Sequence, residues 1–125
     1  MGYLAFRGTQ GVMEWVIDAV LVQTPYHFSP PPPPPPSSLS NRENEAPRIH
    51  RGFDKAYNES GLSRSLREAM ANAQLGTLFI TGHSLGGALA VLAALDLAGK
   101  TAAGVPLVSG NIHVNTFGAP RVGNQ

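Results

Sequence analysis

Residues 82–86 read Gly-His-Ser-Leu-Gly, preceded by Leu78-Phe79-Ile80-Thr81 and followed by a run rich in Ala and Leu. A serine between two glycines, leaving an apolar β-branched stretch and entering a helix at once, can lift a hydroxyl onto a sharp turn above a sheet. There the Ser84 oxygen could attack a carbonyl. Gly82 and Gly86 have a steric task, because a Cβ at either place would collide where strand and helix cross the turn. Gly87, Ala88 and Ala90 keep the helix slim enough to pack closely on the sheet. A helix starting here leaves unpaired N–H groups and a positive dipole end beside Ser84. The N–H of Leu85, the residue after the nucleophile, is the expected oxyanion donor. The bland alternative is a structural strand-to-helix turn, and the strand before and helix after favour the chemical reading.

Other residues with chemical capacity read more plainly. His83 is adjacent to Ser84, and on a tight turn the two side chains diverge. His113 lies inside a strand and His27 beside a proline run; both read as bland. Asp96, midway along the helix after Ser84, reads as a solvated or capping charge. Asp18 is a candidate structural partner for Arg7. No His/Asp/Glu spacing supports a metal site, and no lysine follows Gly86-Gly87 as a phosphate loop requires. No cofactor is implied.

These residues need a scaffold. Tyr3–Phe6 is a short apolar run expected to be a buried strand. Val12, Trp15, Val16, Ala19 and Val20 fall at helical spacing within residues 11–22, whose end could equally be extended. Phe53, Tyr57, Leu66, Met70 and Ala73 share one helical face, with Gly61 as a weak point or break. Thr77–Thr81 and Asn111–Phe117 read as strands, and Ser84–Ala98 as a helix stopped by Gly99. Gly118-Ala119-Pro120-Arg121 is a turn. The alternation of strand and helix predicts parallel pairing, hence an α/β sheet. Seven prolines, Pro30–Pro36, must form polyproline II, about 3.1 Å per residue and without N–H donors. Residues 29–47 are read as a solvated insertion within one domain spanning 1–125, and there are no internal repeats.

Bulk properties narrow the classes. With 125 residues, 42% hydrophobic and 14% charged, the chain has the means for one core and no second domain. A net charge of +1 gives no electrostatic footprint for nucleic acid or an anionic membrane. There is no cysteine, so disulfides and thiolate metal sites are excluded. The N-terminus lacks the pattern of a signal peptide, and the longest apolar run, Ala88–Leu95, is too short to span a bilayer.

Five segments together resemble the central part of the class 3 (fungal-type) lipases, an α/β-hydrolase family. They are Ala5-Phe6-Arg7-Gly8-Thr9, Glu14-Trp15-Val16-Ile17-Asp18, Ile49-His50-Arg51-Gly52-Phe53 with Ala56-Tyr57, Gly82–Gly87, and Thr116–Asn124. The resemblance implies a partial α/β-hydrolase fold, a parallel sheet flanked by helices and truncated at both ends. It implies Ser84 as nucleophile, Thr9 as second oxyanion-hole residue beside Leu85, and Trp15 on a lid. His50 matches a recurring family histidine outside the triad. The implied activity is hydrolysis of carboxylic esters, of acylglycerols or polar lipids, at a lipid–water interface. In this family the triad Asp and His follow the segment matching Gly118–Asn124, so the chain by itself is expected to be inactive. The rival reading is a non-catalytic interaction protein that presents its proline run to a proline-binding aromatic groove.

Overall fold

The structure, a computed structural model, describes residues 1–8, 23–25 and 48–123. The expected helix within residues 11–22, with Trp15 and Asp18, lies outside the described residues, as do Thr9, His27 and the proline run.

At the centre is β4 (Leu75–His83). Its β-branched and aromatic side chains alternate between two faces, with Leu78, Ile80 and Gly82 buried on one of them. β1 (Gly2–Phe6) and β5 (Val108–Phe117) pair with it on either side, both parallel, giving the order β1-β4-β5. The register sets Phe6 beside Gly82 and His83 beside Phe117, so all three strands end at the level of the turn. β4 and β5 outrun the expected strands at both ends or one, because ladder pairing recruits Leu75 and Val108, residues of no distinct local pattern.

A parallel pair needs a crossover connection, and α3 (Leu85–Leu97) supplies it between β4 and β5. Its apolar residues run all round the helix, as expected of a buried one. Ala88, Ala90, Leu92, Ala93 and Leu97 are fully buried in one core with Leu78 and Ile80. The helix closes at Ala98, and the Gly99 N–H bonds the carbonyl of Asp96.

On its outer side lie α1 (Arg51–Asp54), which continues as a π-turn over Lys55–Glu59, and α2 (Leu62–Ala73). Gly61, at φ +80°, makes the break between them. Phe53 and Tyr57 are fully buried, while Leu66 and Met70 pack half-buried against the same core. Burying each of these aromatic side chains is worth roughly 1.5–3 kcal/mol. A two-stranded antiparallel ribbon joins β2 (Gln23–Pro25) to β3 (Arg48–His50). Among the described residues, the opposite sheet face carries no helix. There Tyr3, Phe79 and His113 stack in register across three strands, with ring centroids 5.3 and 4.8 Å apart.

Candidate active site

The turn leaving β4 is built around Ser84, whose backbone sits at φ 54°, ψ −123°. Among described non-glycine residues only Gln74 shares a positive φ. Such a conformation costs of order 1–3 kcal/mol and persists where the surroundings hold it. Here the Ser84 N–H donates to the Phe117 carbonyl at 2.9 Å, and the Ser84 carbonyl accepts from Gly87 N–H at 2.9 Å. The side chain makes no capping bond to its own helix, so the half-buried hydroxyl is kept for other partners.

Each glycine of the turn has a definite neighbour. A Cβ on Gly82 would meet the Gly86 carbonyl, and would lie 2.7 Å from the Gly87 nitrogen. One on Gly86 would meet the Phe6 carbonyl oxygen, with the Phe6 carbonyl carbon at 2.9 Å. One on Gly87 would lie 2.7 Å from the Ala119 methyl. The sterically forbidden side chains of the sequence reading are therefore real. They also show what approaches: the end of β1 and the turn after β5 both lie against the first turn of α3. Leu85 opens α3, where helix geometry leaves its N–H without an intrahelical acceptor. Thr9 lies outside the described residues, but Gly8 just before it is close enough that a Cβ would come 2.8 Å from the His83 carbonyl.

The described histidines occupy three different settings. His83 follows Phe79 and Thr81 onto the sheet face away from α3 and is exposed. His113 stacks on Phe79 of that same face. His50 is buried at 4% exposure, edge-on to Phe53 with centroids 6.2 Å apart. Its Nδ1 is buried with no hydrogen-bond partner among the described residues. Burial, and then the Arg121 charge, hold its pKa below the usual 6.5.

Asp96 corrects the sequence reading. It is no solvated charge: it is 5% exposed and accepts from the Tyr57 hydroxyl (2.9 Å), the Ser63 hydroxyl (2.6 Å) and Arg67 Nη1 (2.7 Å). Arg67 Nη2 also donates to the Lys100 carbonyl at 2.7 Å. Burial, then the negative charge of Asp96, push the Tyr57 phenol far above its ordinary range, so it remains a donor. The network ties the π-turn and α2 to the far end of α3, away from Ser84. Its partners stand 29, 33 and 39 residues from Asp96, which no local pattern announces. Among the described residues no group of His, Asp and Glu could hold a metal ion.

The family described as Lipase (class 3) matches residues 3–125. A lipase of Rhizomucor miehei is 32% identical over 124 residues, covering 98% of this chain and 29% of the relative. A secreted mono- and diacylglycerol lipase of Gibberella zeae is 33% identical, covering 98% and 30%. A chloroplastic phospholipase A(1) of Arabidopsis thaliana is 35% identical, covering 98% and 27%. Among solved structures, a deletion mutant of Rhizomucor miehei lipase with its propeptide superposes at a TM-score of 0.59, with 31% identity, over 98% of this chain and 33% of that one. The chain thus spans about a third of the length of the proteins it matches.

Proposed function

The chain belongs to the class 3 lipase family and carries part of an α/β-hydrolase fold, and from that premise we propose that Ser84 is the nucleophile of a lipid ester hydrolase. The observation that carries the reading is the positive-φ backbone of Ser84, latched to Phe117 between two glycines that admit no side chain. In the proposed reaction Ser84 Oγ attacks an ester carbonyl while a histidine takes its proton, and the alcohol leaves with that proton. Water then attacks the acyl-enzyme and restores the serine. The Leu85 N–H and Thr9 are assigned to the oxyanion, and Trp15 to the cover of the site.

We assign the histidine and its orienting carboxylate to polypeptide outside residues 1–125. The physical support is that His83 and His113 face away from α3 and His50 is packed into the core. Residues 1–125 alone are therefore proposed to be a poor hydrolase. They are treated as one unit with an insertion at about 29–47, since the antiparallel pairing of Gln23–Pro25 with Arg48–His50 brings the chain back beside where it left. The proposed substrates are acylglycerols or polar lipids met at a lipid–water interface. The test is turnover by the full-length protein of a soluble short-chain ester and an emulsified acylglycerol. Ser84→Ala should abolish both; turnover retained by that variant would refute the assignment.

A further inference from the structure

We propose that His50 is the release element of an acid-sensitive latch that fastens the segment after β5 to β3. Three contacts form the latch. The His50 N–H donates to the Val122 carbonyl at 2.8 Å. Ile49 and Gly123 form an antiparallel bridge. Gly123 fits so closely that a Cβ there would meet the Arg48 carbonyl. The latched segment matters to the site, because it continues from the Phe117 carbonyl that holds Ser84 and the Ala119 methyl that packs on Gly87.

At the middle of the latch His50 is 4% exposed, with a buried Nδ1 that has no partner among the described residues. Neutral, it is tolerated as a flat, largely apolar ring against Phe53. Protonated, both ring nitrogens become donors and the ring becomes a buried cation. Among the described residues, the charged groups near it in sequence are mostly cationic. Arg48 belongs to its own strand and Arg51 follows it in α1, both cationic. Asp54, in the same helix, has its Oδ1 engaged by the Asn58 amide at 2.6 Å. Arg121, from the latched segment itself, repels the added charge. The β2 residues paired with β3 are Gln23, Thr24 and Pro25, none of them ionisable. Burial and Arg121 accordingly disfavour the protonated closed state.

An open latch exposes His50, which then binds a proton at about its ordinary value. The closed latch binds it only at lower pH, so acid favours opening. Closure is undiminished above pH 6.5 and is lost as pH falls from there toward the closed-state value.

The experiment is amide hydrogen exchange on the full-length protein, with protection at position 50 corrected for intrinsic exchange between about pH 7.5 and 5. Protection should fall in the wild type as the pH is lowered. His50→Leu should make it flat, and Arg121→Gln should shrink the fall, since the closed state then accepts the proton more readily. The His50 ring should titrate below 6.5 by NMR in the folded protein. Flat wild-type protection, a fall that survives in His50→Leu, or a ring titrating at or above 6.5 would overturn the proposal. None of these readouts depends on Ser84 being a nucleophile.

Discussion

The Phe117 carbonyl, at the last residue of β5, accepts a 2.9 Å hydrogen bond from the backbone N–H of Ser84. A neighbouring strand thus holds the serine's own peptide unit in a conformation that costs energy in isolation. The hydroxyl is presented by the sheet, and the loop has little freedom to withdraw it.

That relationship makes Gly86 sensitive. Gly86→Ala would press a methyl into the Phe6 carbonyl, backbone that cannot rotate aside. We expect a loss of about 1–3 kcal/mol in stability. Ester turnover should fall more than tenfold, because β1 and α3 must part where the oxyanion is proposed to form. Gly76→Ala is the control: its Cβ would have only Ser109 Oγ nearby, at 3.9 Å, and should leave both properties unchanged. Urea unfolding and ester kinetics on the full-length protein measure the pair.

Asp96 should be a stability residue without a kinetic role. Asp96→Ala removes the acceptor shared by the Tyr57 hydroxyl, the Ser63 hydroxyl and Arg67 Nη1, and is expected to cost about 3 kcal/mol. Tyr57→Phe removes one donor and should cost about 1 kcal/mol. The double variant should cost less than the sum, since the interaction is shared. Ester kcat of the folded fraction should stay within about twofold in all three; a larger drop would tie the network to the chemistry.

Much of this was legible in the residues, and the failures have a common cause. The strand-to-helix turn at Gly82–Gly87, the helix that Gly99 follows and the break at Gly61 are local events, written in steric and capping requirements of a few neighbouring residues. Asp96 reads as a solvated or capping charge, and His50 as a family histidine outside the triad, because the surroundings of both depend on partners brought from afar. Ser63 and Arg67 stand one helical turn apart on α2, a spacing that fits a shared acceptor, yet nothing nearby names Asp96 as that acceptor. The Phe117 carbonyl is backbone, and no side-chain pattern can announce it. Thr9 and Trp15 rest on the family resemblance alone.

The chain of residues 1–125, produced by itself, should bind hydrophobic dyes strongly and unfold without a sharp transition. Among the described residues one face of its sheet carries no helix, with Tyr3 77% and Phe117 63% exposed around a concavity of about 400 Å³. Among the described residues no strand pairs with the outer edge of β5, which carries no charged residue or proline to blunt it. Dye fluorescence and differential scanning calorimetry read the outcome. A cooperative melt with little dye bound would show that 1–125 is self-sufficient.

The central claim is that Ser84 becomes a nucleophile on its turn once a base from elsewhere in the protein reaches it. Its most direct measurement is the site and rate of phosphonylation by a fluorophosphonate, read by peptide mass spectrometry on the full-length protein and on residues 1–125. The account predicts a stoichiometric adduct on Ser84 in the full-length protein, none in Ser84→Ala, and labelling at least a hundredfold slower in residues 1–125. An adduct on another residue of the full-length protein, or equal labelling rates for the two proteins, would contradict it.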